Sequence, residues 1–287
     1  MANKQYISPI RLFDHCAVTY DGEVNISRIK KQLTAEFDFA ASGFIEFDGY
    51  TYNKTDVLEE IEKPDFMDRL RYHKKIWQSK NILSILESNT GNLNALQQEF
   101  GKFQGDKDFD AFFSPWFAAP FNHICRSYLN EGRLRELSTL LLYEDFLQPA
   151  EKEEGFRSIR VFLDENLRMF KNIIRENYNS FRSKVTPWRS SGWEDFMNHL
   201  PDEFYDYKSE LAIELINLTV KIQKTNKQDC WAINNGLVGL QNLPNNLRET
   251  ILNNDKVFNP KEKTTNYGWI IWVAIIVLRL FASGGCH

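Results

Sequence analysis

The most regular alternation of apolar and polar positions lies between Gly155 and Val185. Phe156, Ile159, Leu163, Leu167, Phe170, Ile174, Tyr178, Phe181 and Val185 follow steps of 3, 4, 4, 3, 4, 4, 3 and 4, which place them on one face of an α-helix. The spacing predicts a single long helix, ended by Thr186-Pro187, whose step pattern resembles an eleven-residue repeat more than a heptad and so favours straight packing. A second stripe, Leu211, Leu215, Leu218 and Ile222, predicts a helix from about Ser209 to Thr225. Its Glu210 and Glu214 lie early and its Lys221 and Lys224 late, as the helix dipole prefers. Upstream, Phe66, Leu70, His73, Trp77, Ile82, Ile85 and Leu86 predict a helix from Asp65 to Ser88. Pro64 separates it from a helix that should stop near Lys63.

Before residue 55 the pattern changes. Phe44-Ile45-Glu46-Phe47-Asp48-Gly49-Tyr50-Thr51-Tyr52 predicts a hairpin with Asp-Gly in a type I′ turn, pairing Phe47 with Tyr50 and Ile45 with Tyr52. Asp21-Gly22 suggests a second hairpin between His15 and Ile26, with a short helix from Ser27 to Glu36 capped by Ser27. The fold expected is mainly α with a small N-terminal α+β (β-hairpin) portion and one C-terminal transmembrane helix. Residues 1–55 form the α+β unit, 56–252 a helical domain packed with it, and 253–266 a tether.

The run from Tyr267 to Ser283 is apolar on every side. Nine of its residues are Ile, Val, Leu or Phe, Ile275, Ile276 and Leu280 among them; at about −0.3 to −0.6 kcal/mol each they favour membrane insertion by roughly 4 kcal/mol. Arg279 opposes by about 2.5 to 3.5 kcal/mol at a bilayer centre, but it lies near the end of the run, where its stem can reach the headgroups. Tyr267, Trp269 and Trp272 fall where an interfacial aromatic belt belongs. The run therefore reads as a short anchor; the alternatives are a buried strand or helix of a core, or a segment lodged in a partner's groove. Lys256, Lys261 and Lys263 precede it, and the five residues after Ser283's predecessor carry no Lys or Arg, so the positive-inside rule places the body in the cytoplasm. The expectation is a tail-anchored, single-pass protein whose first partner is a lipid bilayer.

Composition narrows the classes. A net charge of −4 argues against a general nucleic-acid binder. The four cysteines, Cys16, Cys125, Cys230 and Cys286, form no CxxC pair, as suits a reducing compartment.

Candidate chemistry is sparse. Asp106, Asp108 and Asp110 imitate the start of a calcium loop, but Ala111 stands where Gly is needed and Phe117 where Glu is needed. His15-Cys16 and His123 with Cys125 each offer half a zinc site without the other half. His199 sits one turn from Asp195 as an oriented base would, with no nucleophile beside it. No phosphate-loop, dinucleotide, HExxH or GxSxG pattern occurs. No catalytic residue, metal or cofactor is therefore assigned.

Surfaces offer more. Phe109 to Phe121 is aromatic with two prolines that should prevent one regular helix, either a core-lining turn or a hydrophobic surface in which Phe112, Phe113, Trp116 and Phe117 meet lipid or a partner. Trp188 and Trp193, in a polar loop from Thr186 to Trp193, are added to that candidate surface. Arg157, Arg160, Arg168, Lys171, Arg175 and Arg182 form a basic edge about 45 Å long at helical rise. It is either solvated and paired with acids or, chiefly at Arg168, Lys171 and Arg175, directed at anionic lipid or an acidic protein. The function expected is a tail-anchored membrane protein with a cytoplasmic helical interaction domain, serving as adaptor, regulator or assembly component with an unidentified protein partner. A membrane-disturbing effector, suggested by Arg279, and a membrane-tethered enzyme are the alternatives.

Overall fold

The computed structural model describes residues 6–21, 25–40, 42–90, 93–103 and 105–258. Within them the chain is mainly helical with one two-stranded antiparallel sheet. The expected anchor, with Tyr267, Trp269, Trp272, Ile275, Ile276, Arg279 and Leu280, lies outside the described residues, as does the tether from position 259 onward. No helix among the described residues is long and apolar enough to cross a membrane.

The elements run α1 (Pro9–His15), α2 (Ile26–Phe39), β1 (Phe44–Phe47), β2 (Tyr50–Asn53), α3 (Lys54–Glu62), α4 (Phe66–Gln78), α5 (Lys80–Ser88), α6 (Leu93–Phe100), α7 (Lys107–Asn130), α8 (Leu134–Leu141), α9 (Lys152–Gly155), α10 (Arg157–Asn172), α11 (Tyr178–Phe181), α12 (Thr186–Arg189), α13 (Trp193–Asn198), α14 (Tyr205–Ile222), α15 (Lys227–Gly239) and α16 (Asn245–Phe258). Two compact units divide the chain: Met1–Ile124 with Asp145–Gly155, and Cys125–Glu144 with Phe156–His287.

In the first unit the hairpin has the expected register, Phe47 opposite Tyr50 and Ile45 opposite Tyr52. Asp48 and Gly49 both take positive φ, 52° and 80°, as a type I′ turn requires. Ile45 and Tyr52 face a core shared with Ile10 and Phe13 of α1, Ile29, Leu33 and Phe37 of α2, and Ile61, Phe66 and Leu70. The N-terminal unit expected over residues 1–55 thus packs with α3 and α4 of the helical part in one core. The second hairpin, expected between His15 and Ile26, has its turn at residues 22–24, outside the described residues; residues 16–21 and 25 form no strand, and α1, opened by Pro9 and burying Ile10 and Phe13, ends at His15. The cap of α2 is Asn25, whose Oδ1 accepts from the Arg28 amide at 3.0 Å, and not Ser27.

The helix expected from Asp65 to Ser88 is two. It breaks at Ser79, where φ −103° and ψ 85° leave helical space, because a carboxylate from elsewhere caps a new start. Glu99 accepts from the Asn81 amide at 3.1 Å and the Ile82 amide at 3.0 Å. In α7 the correction runs the other way, since Lys107–Asn130 is one helix despite Pro115 and Pro120. Phe109, Phe113, Phe117 and Phe121, four residues apart, stack in series with centroids 5.2, 4.9 and 5.4 Å apart, and all four are buried. Each proline removes one helical hydrogen bond; Ala111, whose carbonyl loses its partner to Pro115, is exposed, so water can serve that oxygen.

In the second unit the long stripe is divided. Phe156, Ile159, Leu163, Leu167 and Phe170 are buried along α10 as expected, but the helix ends at Asn172 with Ile173 extended at ψ 126°. Lys221 Nζ donates to the Ile173 carbonyl at 2.7 Å, a cation at the helix C-terminus as the dipole favours. Asn177 closes the turn, its Oδ1 accepting from the Ile174 amide at 2.9 Å and its Nδ2 donating to the Asn172 carbonyl at 3.1 Å. Ile174 is consequently 52% exposed while Ile173 fills the core. The first six residues of the expected tether, 253–258, belong to α16, which buries Leu247, Ile251 and Asn254; the remainder lies outside the described residues.

Phe170 is fully buried, so Phe170→Ala should destabilise the second unit by about 3 to 5 kcal/mol. Lys171 is half exposed and pairs with Glu210, also half exposed, at 2.6 Å, so Lys171→Ala should cost less than about 1 kcal/mol. Urea unfolding of the two variants checks the difference, and equal losses would refute this assignment of the buried face.

Candidate functional site

The first unit contains a pocket of about 120 Å³ whose apolar walls include Phe13, Val57, Phe66 and Trp116 and whose polar groups are Tyr6, His73, Glu60, Asn53, Asp56 and Thr51. This combination of apolar walls and few convergent polar groups is what a small-molecule site offers. Each polar group comes from a different reason for local order. Asn53 ends β2 and caps α3, its Oδ1 accepting from the Thr55 amide at 2.8 Å. Glu60 lies on α3 and His73 on α4, which turn against each other after the extended Lys63-Pro64 step. Tyr6 reaches the site from the segment before α1, its ring against Trp116 at 5.5 Å.

Tyr6, His73 and Glu60 form a chain. The Tyr6 hydroxyl lies 2.9 Å from His73 Nδ1, and His73 Nε2 lies 3.4 Å from Glu60 Oε1. The tautomer that donates from Nε2 to the carboxylate leaves Nδ1 to accept the tyrosine proton. Burial depresses the His73 pKa, against the pull of the Glu60 carboxylate. Burial would raise Glu60, but hydrogen bonds from His73, Arg69 and Lys63 outweigh it and hold that carboxyl well below the usual carboxylate range. Arg69 Nε donates at 2.5 Å and Lys63 Nζ at 2.6 Å. Tyr6, fully buried, is pushed far above an ordinary phenol. These groups satisfy one another's hydrogen-bonding capacity.

The residues expected to carry function are distributed differently. Phe113 and Phe117 are fully buried and Phe112 is 6% exposed, so these three belong to the core of the first unit and form no open groove. Their burial follows from their spacing along α7. Trp116 alone of that group is half-buried, and it lines the pocket. Trp188 and Trp193 are buried too: α12 and α13 replace the expected loop. Trp188 Nε1 donates to Asn166 Oδ1 at 2.8 Å, and Trp193 lies so close over Gly236 that a Cβ there would meet its indole nitrogen at 2.2 Å.

The basic edge is broken with the helix that was to carry it. Arg160 pairs with Glu203, Lys171 with Glu210 and Arg182 with Asp229, while Arg168 and Arg175 are exposed on opposite sides of the break at Ile173. Asp106 bonds the Phe109 amide at 3.1 Å and pairs with Lys75 at 3.1 Å, the role of a helix cap. His15 stacks on Phe47 at 3.8 Å, and His199 Nδ1 donates to the Asp195 backbone carbonyl at 2.7 Å, not to its carboxylate. No group of three His, Cys, Asp or Glu side chains converges as a metal site among the described residues.

Sequence reading missed Tyr6, Glu60 and the role of His73. His73 had appeared only as a member of an otherwise apolar stripe, and that polar residue at a core position was the available signal. The chain matches no protein-family model, and it matches neither a curated protein nor a solved structure.

Acid should loosen the first unit in two stages. An unfolded histidine titrates near 6.5, whereas folded His73 resists protonation, so the unfolded chain binds the extra proton and stability falls as pH drops below about 6.5. Glu60, with its folded pKa lowered from 4.5, contributes stability that is present above that value and is lost as pH falls below it. Thermal unfolding of the full chain between pH 7.5 and 5 should show the first loss, and His73→Gln should flatten it. An unchanged slope in the variant would exclude His73 as its source.

Proposed function

We propose that the chain is a membrane-anchored binding protein, an adaptor, regulator or assembly component whose helical body is held at a bilayer by residues 267–283. The observation that supports this reading is the apolar run itself, whose roughly 4 kcal/mol of favourable insertion exceeds the cost of Arg279. The body's chemistry points the same way. The pocket of the first unit satisfies Tyr6, His73 and Glu60 with one another, which suits recognition better than turnover. Lys256, Lys261 and Lys263 before the run favour a cytoplasmic body.

Membrane fractionation tests the reading. The full chain should sediment with membranes and resist carbonate extraction, whereas the chain truncated after Thr265 should enter the aqueous phase. A full chain that is soluble and monomeric without detergent would overturn the anchor and return the run to a protein core.

A further inference from the structure

The second unit holds a pocket of about 760 Å³ lined by Arg182, Arg189, Lys227, Asp229, Trp231 and Phe258 among others. Two arginines bond one carboxylate there, and Lys227 lines the same pocket. Asp229 is buried and takes its bonds from inside: Tyr178 Oη donates to Oδ2 at 2.8 Å, Arg182 Nε to Oδ2 at 3.0 Å and Arg189 Nη1 to Oδ1 at 2.6 Å. Donors remain beyond those bonds. Arg182 is half exposed and bonds through Nε and Nη2, which leaves Nη1. Arg189 Nε is buried and has no partner among the described residues, a rare state for a cationic donor. Lys227 is exposed and has no ion pair or hydrogen bond among the described residues. Trp231 lines the same pocket and is 47% exposed.

We propose that this pocket binds a phosphate group, with Arg182, Arg189 and Lys227 as its donors and Trp231 as its wall. Guanidinium pairs match phosphate oxygens in planar, charge-assisted contacts. Asp229 fixes the two arginines in place and cancels one of the three charges, leaving an excess of two over a pocket with an aromatic side. Phe258 is the last described residue and lines the same pocket. The eight residues from 259 to 266 span at most about 29 Å when extended, so a run inserted at 267 keeps the pocket within reach of headgroups. A phosphate borne by a lipid is therefore the source favoured here, and that choice of source rests on the anchored reading; the phosphate chemistry does not. Interfacial tryptophan and basic pockets near spans are the recognised chemistry of such headgroups.

The test uses the full chain in a neutral detergent, titrated separately with inorganic phosphate, dihexanoyl phosphatidic acid and dihexanoyl phosphatidylcholine. Tryptophan fluorescence is read as the difference from Trp231→Phe, which cancels the other six of the seven tryptophans. A saturable change with phosphatidic acid is expected, with affinity reduced about fivefold in Lys227→Gln. That variant removes no hydrogen bond or ion pair among the described residues; Arg182→Gln should act in the same direction, and its unfolding curve shows whether the loss is local. Saturation by inorganic phosphate as well would make the bare phosphate group sufficient, and saturation by phosphatidic acid alone would assign the lipid as source. No response to either, an equal response to phosphatidylcholine, or affinity unchanged in both variants would overturn the site. Carbonate extraction of the same chain is scored independently: phosphate binding by a chain that fails to stay with membranes would keep the pocket and discard its lipid source.

Discussion

A carboxylate taken out of water has to be met by donors, and in each unit one such group gathers segments that are far apart in the chain. Glu87, 7% exposed, accepts from Arg11 at 2.7 Å, from the Tyr50 hydroxyl at 3.0 Å and from the Ser8 amide at 3.2 Å. It thereby ties α5 to the start of α1 and to the hairpin, with Arg11 lying 4.1 Å over the Tyr50 ring. Asp229 does the same for α11, α12 and α15 through Tyr178, Arg182 and Arg189. Burial alone would raise the Asp229 pKa, yet the donors from Arg182 and Tyr178 and the Arg189 charge leave it lowered, so the charged form is the one the fold is built around. Each of these carboxylates keeps further donors when one partner is lost, so the cluster as a whole, more than any single pair, holds the buried charge.

These charge clusters explain which parts of the architecture could be read from local pattern. Hairpin register was legible because Asp-Gly fixes a two-residue turn and the side-chain period of two then determines every pair from Phe47 and Tyr50 outward. The end of α3 was legible because Pro64 restricts the residue before it, and Lys63 is indeed extended at ψ 137°. Helix breaks were not, because their causes lie elsewhere in the chain. Glu99 starts α5 from 18 residues away, and Lys221 caps α10 at Ile173 from 48 residues away. The apolar steps of the long stripe continue across the second break with only Ile174 displaced to the surface, so periodicity by itself gave no warning.

The prolines of α7 show local preference losing to burial. Two missing hydrogen bonds are a known and limited loss, whereas Phe109, Phe113, Phe117 and Phe121 each bury a full ring, worth roughly 1.5 to 3 kcal/mol apiece. The helix brings them to one side at steps of four, and no interrupted path through this segment would do so. The same spacing decides their role. Aromatic residues that stack on one another and on Phe100 and Phe146 are committed to the core, so the aromatic density of residues 109–121 describes packing and is no signal of an exposed surface.

Function was harder to read because the polar groups of the first pocket converge from Tyr6, Asn53, Glu60 and His73, no two of them within a motif's length that carries a recognisable spacing. The second unit's cluster is split likewise between positions 182, 189 and 227–231. What distinguishes the two is how much of their donor capacity is already used. In the first pocket His73 and Glu60 bond one another, Tyr6 and the surrounding cations. Around Asp229 the fold uses one carboxylate to hold two guanidinium groups, and Lys227 remains outside the pairing. Satisfied polar groups confer shape, and donors left over can recognise charge; by that criterion the proposed anion site is the one at Arg182, Arg189 and Lys227.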